Sequence, residues 1–179
     1  RCKIMNELIT AFETKIGLVF QDKTLLQRAL THRSYLNEFP NFPLSDNERL
    51  EFLGDAVLGF VIAAFLYHRF PEQPEGYLTN MRAALVRRET LADFARQLNL
   101  GQYLLMGHGE AESGGRERPA TLCAGFEALI GAIYLDAGLT RVDDLLMPLI
   151  VPFLNHLQRQ AYTLSLHDAL PISEERRVG

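Results

Sequence analysis

The chain has 179 residues, of which 47% are hydrophobic, and it carries a formal net charge of −4 at pH 7. This length suits one domain with a sizeable core, and the apolar content excludes an intrinsically disordered chain. The two cysteines exclude a disulfide framework and are typical of a reducing compartment, and the negative charge weakly disfavours a protein that simply binds polyanions.

The hydrophobic periodicity predicts an all-α fold. Prolines at positions 40, 43, 71, 74 and 119 are expected in the connections between helices. Pro148 and Pro152 fall inside the last helix and predict a kink or a break there. No segment shows the alternation of a β-strand. The predicted helices lie near residues 5–14, 22–31, 46–69, 77–86, 89–98, 120–137 and 141–160.

No segment is expected to span a membrane. The apolar run from Val57 to Leu66 is too short for a bilayer because it ends at Tyr67, His68 and Arg69. The beginning of the chain does not resemble a secretory signal. We therefore expect a cytoplasmic protein without a membrane partner.

The predicted helix over residues 46–69 carries three carboxylates on one edge. At about 100° per residue, Glu48, Glu51 and Asp55 fall within a sector of roughly 60°. Glu51 and Asp55 are a like-charge pair one turn apart, and no lysine or arginine lies three or four residues from either of them. Something outside this helix must neutralise the cluster, and a bound metal ion is the leading candidate.

The same helix is otherwise apolar nearly all round. Such a helix must be buried on several sides, which is difficult in one small bundle. A two-fold partner solves this problem, so the pattern favours a homodimer. The apolar residues that cover most of the helix surface are Leu50, Leu53, Val57, Leu58, Phe60, Val61, Ile62 and Phe65.

A further carboxylate with similar surroundings is Glu127. Its helical neighbours Cys123, Ala124, Ile130 and Gly131 are small or apolar and carry no charge. We therefore expect Glu127 to face something other than bulk water.

Two segments carry a resemblance to a known family. The run from Asn47 to Asp55 resembles the signature of the ribonuclease III family, and the run from Leu122 to Asp136 resembles its second acidic motif. The resemblance covers about residues 15–144. Further stretches match at the family's order and spacing, namely Thr31-His32-Arg33-Ser34, residues 67–71, Glu75-Gly76, residues 81–86, Gly107-His108-Gly109-Glu110 and Ser113-Gly114-Gly115.

The resemblance implies a ribonuclease III-type helical endonuclease domain. Such a domain dimerises, with Phe52 inserting into the other subunit. It cleaves double-stranded RNA in rRNA or mRNA processing and leaves 5′-phosphate and 3′-hydroxyl ends.

The implied catalytic residues are Glu48, Glu51, Asp55 and Glu127. Mg²⁺, or Mn²⁺ in its place, would be held by Glu51 and Glu127, with Asp55 and Glu48 orienting its waters or holding a second ion. As a group, several arginines are candidates for phosphate contacts with the RNA: Arg82, Arg87, Arg88, Arg116 and Arg118.

One position departs from the family pattern. Where the second motif has an Asp three residues before its Glu, this chain has Ala124. A water could fill the missing ligand position at some cost in metal affinity. The alternative function is therefore a catalytically weakened or inactive ribonuclease III-like dimer that binds RNA, although four uncompensated carboxylates favour the enzyme.

Some of these residues also have a purely structural interpretation. Ser45 and Glu48 fit a capping box, and Glu127 could pair with Arg82 or Arg87. No second histidine is spaced to join His32, which favours a hydrogen-bonding role over metal ligation.

We place the catalytic domain at residues 1–160. The segment from about Thr163 does not continue the helical pattern, and it resembles neither the linker nor the double-stranded-RNA-binding domain that follows in bacterial members of the family. We interpret residues 161–179 as a non-domain tail of foreign or adapter-derived sequence. A C-terminal double-stranded-RNA-binding domain is expected to be absent.

Overall fold

A computed structural model describes the backbone of residues 2–169 and the side chains of residues 5–160. The regular secondary structure of these residues is helical, apart from one bridging pair between Thr31 and Leu105. In chain order the helices are α1 (Cys2–Ile16), α2 (Lys23–Ala29), α3 (Arg33–Glu38), α4 (Glu48–Arg69), α5 (Glu75–Val86), α6 (Arg88–Gln97), α7 (Leu100–Tyr103), α8 (His108–Glu112), α9 (Pro119–Ala137) and α10 (Leu139–Ala169).

The all-α prediction is confirmed, and every helix expected from the periodicity is present. The short helices α3, α7 and α8 were not predicted. They contain 6, 4 and 5 residues, which is too short for an amphipathic repeat to show in the sequence.

Helix α10 continues through its prolines. It runs from Leu139 past Pro148 and Pro152 to Ala169, so the expected split is wrong. So is the expected end of the helical pattern near residue 160, because the backbone of residues 161–169 is helical. Each proline removes one amide donor, whereas extending an existing helix adds one hydrogen bond for each residue fixed. The rest of the predicted tail, residues 170–179, lies outside the described residues.

The chain forms two compact units, and the boundary lies within α10 between Leu145 and Leu146. The first unit is organised by α4 and α9, which pack along each other. At their crossing, a Cβ atom on Gly54 would lie 1.7 Å from the carbonyl oxygen of Glu127, and one on Gly131 would lie 2.4 Å from that of Leu50. Only glycine permits backbones to approach so closely.

Helix α9 is the centre of the first unit. Besides α4, it is contacted by α2, α6 and α7. At its C-terminal end, Asp136 accepts hydrogen bonds from the backbone N–H groups of Gln21 at 3.0 Å and Asp22 at 2.8 Å, which ties α9 to the beginning of α2. Contact on several sides explains why α9 is apolar over most of its surface. Its largest buried side chains are Leu122, Phe126, Leu129, Ile130 and Ile133.

The beginning of α4 is fixed by Asn47, which is only 4% exposed. The Asn47 side chain donates to the carbonyl oxygen of Ala29 at 3.3 Å, and its backbone N–H donates to that of Thr31 at 2.9 Å. These bonds satisfy a buried polar residue and hold α4 in place relative to the end of α2. The backbone that carries the carboxylates in the first two turns of α4 is therefore fixed in position.

By length and composition alone, α4 and α9 are each apolar enough to cross a membrane. The run from Val57 to Leu66 is therefore not too short by this measure, because it lies in an apolar helix of 22 residues. The core helices of soluble proteins pass the same test. In this fold the two helices pack against each other in the centre of the first unit, and that packing accounts for the buried apolar side chains of both.

Candidate active site

The acidic edge of α4 meets α9 at one open pocket. The close crossing at Gly54 and Gly131 brings the first turns of α4 against the middle of α9. The pocket has a volume of about 520 Å³, and we call it the acidic pocket. It is lined by Glu48, Glu51, Phe52, Asp55 and Glu127. The structure thus brings together the four carboxylates that were identified from the sequence.

The negative charge in the acidic pocket is poorly solvated. Burial raises the pKa of Glu51, and its acidic neighbours on α4 raise it further. Burial also raises the pKa of Glu127 to about 7, with added repulsion from Asp55 and then Glu51. Within the described residues, no ion pair involves Glu51, Asp55 or Glu127. The suggested pairing of Glu127 with Arg82 or Arg87 is therefore wrong. This cluster has the electrostatics of a cation site.

Cys123 lies one turn before Glu127 on α9, and its half-buried thiol lies beside that carboxylate. Burial and the neighbouring Glu127 raise the pKa of the Cys123 thiol to about 12, so the thiol keeps its proton at neutral pH. A protonated thiol is a poor ligand for a hard cation. Cys123 is therefore suited to orient Glu127 and not to bind metal itself.

The donors in the acidic pocket fit a hard divalent cation that keeps part of its water shell. All of them are carboxylate oxygens, the ligands that Mg²⁺ and Mn²⁺ prefer. No three His, Cys, Asp or Glu side chains among the described residues converge closely enough to hold an ion by themselves. Half-buried Ala124 contributes no oxygen here. Mg²⁺ usually binds to one or two carboxylates and completes its shell with waters and substrate phosphates, and this geometry suits that mode.

Glu48 differs from the other three carboxylates because a cation lies beside it. Nη1 of Arg33 is 3.5 Å from Oε1 of Glu48. The backbone N–H of Glu48 donates to Oδ1 of Asp46 at 3.2 Å, and Asn47 is the N-cap residue without a side-chain cap. The capping box of Ser45 with Glu48 is therefore wrong, because α4 begins two residues later than the box requires.

Arg33 is the first residue of α3, and the sequence did not predict a role for it. The backbone N–H of His32 donates to the carbonyl oxygen of Leu105 at 2.9 Å, and Nδ1 of His32 lies 2.7 Å from Oγ of Ser34. The same Oγ accepts the backbone N–H of Gly107 at 3.0 Å. Burial lowers the pKa of His32, which favours a neutral, accepting Nδ1. The hydrogen-bonding role expected for His32 is confirmed.

Two of the candidate arginines already form bonds within the chain. Nη1 of Arg116 donates to the carbonyl oxygens of Gly101 and Leu104, both at 2.7 Å. Arg118 is ion-paired with Glu110. A guanidinium held in this way supports the loop around it and has fewer donors left for an RNA phosphate.

The other three candidate arginines are exposed, at the end of α5 and the start of α6. Arg87 donates through Nε to Oγ1 of Thr90 at 3.0 Å. The positive charge of Arg88 is close enough to Cys123 to oppose the rise in the pKa of its thiol. Arg82 points into solvent on α5. These three side chains remain available to a polyanion.

Large apolar side chains are exposed along one face of α4. Phe52, Phe60 and Tyr67 are 82%, 61% and 68% exposed, and we call them the apolar stripe. Their spacing of seven and eight residues puts them on one side of the helix. Leu135, at 52% exposure, adjoins Phe52 in a recess of about 550 Å³. Several large apolar side chains exposed on one helix face are typical of an interaction surface.

Comparison with known sequences decides the family. A sequence model of the Ribonuclease-III-like family matches residues 22–154, which include every residue of the acidic pocket. The chain belongs to the ribonuclease III family. The resemblance stated from the signature and the second acidic motif is thereby confirmed.

Two bacterial relatives show how far the similarity extends. Ribonuclease 3 of Enterococcus faecalis is 50% identical over 149 residues, which are 81% of this chain and 65% of that protein. Ribonuclease 3 of Bacillus cereus is 48% identical over 150 residues, which are 84% of this chain and 61% of that protein. The chain therefore spans less than two thirds of the length of these relatives.

Solved structures agree on the fold. The nuclease domain of ribonuclease III from Campylobacter jejuni, described with flexibility in a region involved in dimer formation, is 43% identical with a TM-score of 0.71, and the match covers 78% of this chain and 93% of that one. Dicer from Pichia stipitis is 30% identical with a TM-score of 0.56, and the match covers 77% and 58%. The fold is that of a ribonuclease III nuclease domain.

Proposed function

We propose that this chain is a divalent-metal-dependent endoribonuclease that cleaves double-stranded RNA to 5′-phosphate and 3′-hydroxyl ends, in the processing of rRNA or mRNA. The observation that carries the proposal is the acidic pocket, in which α4 and α9 together present four carboxylates. Relatives named ribonuclease 3, at 48% to 50% identity, support the assignment.

The metal would be Mg²⁺ or Mn²⁺. Glu51 and Glu127 would hold it, and Asp55 and Glu48 would orient its waters or hold a second ion. When bound, the ion lowers the pKa of a water and stabilises charge on the scissile phosphate and the leaving oxygen. Glu51 and Glu127 are half-buried, so water screens their charges poorly. They therefore attract a cation more strongly than exposed carboxylates would. The thiol of Cys123 orients Glu127.

Ala124 leaves the second motif one carboxylate short of the family pattern. The four remaining carboxylates exceed the one or two that Mg²⁺ usually takes from a protein. A water at the Ala124 position lowers metal affinity but leaves a complete shell. Activity at a raised Mg²⁺ requirement is therefore the expected consequence.

Double-stranded RNA would be held mainly through its backbone. An A-form helix is recognised by its shape, its phosphates and its 2′-hydroxyl groups. The exposed Arg82, Arg87 and Arg88 would supply phosphate contacts. Arg116 and Arg118 would contribute less, since their guanidinium groups already bond within the chain.

Two copies of the chain would pair through the apolar stripe, with Phe52 inserting into the partner subunit. Burial of such large aromatic side chains is the main source of stability in interfaces of this kind. Pairing places two acidic pockets in one assembly, one for each RNA strand. We further propose that residues 1–160 form the catalytic domain, that residues 161–179 lie outside it, and that the protein acts in the cytoplasm.

The deciding experiment incubates the purified protein with long double-stranded RNA, with and without Mg²⁺, and analyses the lengths and end groups of the products. We expect Mg²⁺-dependent cleavage that Glu127→Gln abolishes. The matched control is Glu72→Gln, since Glu72 is an exposed carboxylate in the turn between α4 and α5. RNA binding without cleavage at any Mg²⁺ concentration would instead support the non-catalytic RNA-binding dimer.

A further inference from the structure

Arg33 places a positive charge at the rim of the acidic pocket. Its Nη1 lies 3.5 Å from Oε1 of Glu48, and the two side chains are 71% and 55% exposed. This separation is longer than the roughly 3.2 Å of a good hydrogen bond. An exposed ion pair of this geometry adds little to stability. Packing therefore does not explain why a cation lies here.

The backbone that carries Arg33 is fixed by hydrogen bonds, whereas its side chain is largely exposed. On one side, His32 is bound to Leu105, and on the other, Oγ of Ser34 accepts the backbone N–H of Gly107. The hydrogen bond between His32 and Ser34 closes the turn around Arg33. When the backbone is already fixed, an exposed side chain can bind a ligand at a defined place without the entropy cost of ordering the backbone.

The charge of the acidic pocket creates a need for such a cation. A single divalent ion offsets two of the four carboxylate charges, so an approaching phosphate still meets net negative charge. The guanidinium of Arg33 has further N–H donors beyond the one near Glu48, arranged to grip two phosphate oxygens. Exchanging a long, solvated contact with Glu48 for a charged phosphate contact is favourable.

We propose that Arg33 binds a phosphate of the RNA at the rim of the acidic pocket, and that its guanidinium leaves Glu48 for that phosphate when RNA binds. The inference rests on the proposed function, since it names a residue that would hold the RNA near the cleavage site. Arg33 then acts directly on the RNA and not through Glu48.

The first test measures binding of a short blunt double-stranded RNA by fluorescence anisotropy over a series of salt concentrations, in Ca²⁺ with intact RNA verified by gel. We expect Arg33→Ala to weaken binding about tenfold and to lower the slope of log K against log salt by about 1. Arg33→Lys should restore part of the affinity and part of the salt slope, because lysine keeps the charge but cannot donate two parallel hydrogen bonds as a guanidinium does. The matched control is Arg141→Ala, which removes an exposed arginine that is 3.1 Å from Asp144. It should change neither quantity.

The second test separates a phosphate contact from an effect on Glu48. Arg33→Ala is combined with Glu48→Gln in a double-mutant cycle. If Arg33 binds phosphate, Arg33→Ala should weaken RNA binding by the same factor in the Glu48→Gln protein as in the wild type. If Arg33 only holds Glu48 in place, adding Arg33→Ala to Glu48→Gln should not weaken RNA binding further, and the inference is overturned.

The remaining outcomes are also decisive. If the Arg33→Ala protein binds RNA with the affinity and the salt dependence of the wild type, the role of Arg33 is overturned and the proposed function is not affected. Failure of the wild-type protein to bind double-stranded RNA at all overturns both. Unchanged melting temperatures in the Arg33 variants are expected, and they confirm that any loss of binding does not come from unfolding.

Discussion

The closest contact between α4 and α9 yields a sharp prediction for Gly54→Ala. The added Cβ would lie 1.7 Å from the carbonyl oxygen of Glu127 and 2.5 Å from its carbonyl carbon. These are backbone atoms of the central helix, so they cannot rotate away as a side chain could. The separation has to double to reach ordinary contact, which begins at 3.4 Å. The two helices must therefore move apart.

The size of the effect follows from two opposing contributions. Overpacking a core typically costs about 1–3 kcal/mol, occasionally more, and a displaced helix backbone belongs at the upper end. Alanine regains about 1 kcal/mol of helix propensity over glycine. The net loss should be about 2 kcal/mol, which corresponds to a fall in melting temperature of about 4–8 °C. The shift also separates Glu51 from Glu127, and a misplacement near 1 Å can lower a catalytic rate about 100-fold.

The assay combines thermal unfolding with double-stranded RNA cleavage at a temperature where both proteins are folded. Gly59→Ala is the control on the same helix, since a Cβ atom there meets nothing within 4 Å. It should keep its activity and melt at the same temperature as the wild type or slightly higher. If Gly54→Ala behaves like Gly59→Ala, the close crossing does not set the geometry of the acidic pocket.

Three further predictions concern the charge of the pocket and the assembly. Without metal, the free energy of unfolding should fall as the pH rises from about 4.5 to about 7, because the raised pKa of Glu127 favours folding only while that carboxyl is protonated. After allowance for solvent screening the loss should be about 1–2 kcal/mol, and a flat profile, or one that Glu127→Gln leaves unchanged, would contradict this. Ala124→Asp should tighten Mg²⁺ binding and raise cleavage but lower the melting temperature in EDTA; an unchanged Mg²⁺ dependence of both would show that the ion does not bind here. The protein should be dimeric by light scattering at micromolar concentration, and Phe52→Ala should weaken the dimer by about 3–5 kcal/mol, whereas a monomeric wild type would refute the pairing through the apolar stripe.

The acidic edge of α4 could be predicted because the relevant information is local. Spacing along one helix places Glu51 and Asp55 on a common edge, and the absence of nearby cations marks them as unsatisfied. The same reasoning applies to Glu127, whose neighbours carry no charge. The family resemblance implied that Glu127 joins the acidic edge of α4 in one site, and the structure brings them to one pocket.

Features that depend on distant segments could not be predicted in this way. The pairing of Arg33 with Glu48 and the anchoring of Asn47 by Ala29 join residues from different elements, and no periodic pattern encodes them. Two glycines in apolar helices do not reveal which backbone they will touch. Pro148 and Pro152 do not end α10, because the hydrogen bonds gained by continuing an established helix outweigh the local tendency of proline to break it.

The central position of α9 has a consequence for synthesis of the chain. Helices α2, α4, α6 and α7 all precede α9, and each of them contacts it. During translation these segments leave the ribosome before the helix that covers their apolar faces exists. The hydrogen bond that the backbone N–H of Gln21 donates to Asp136 then joins residues 115 positions apart in the chain, one of the slow, long-range steps of folding. The nascent chain therefore exposes its core to chaperones and to neighbouring chains until residues 119–137 have emerged.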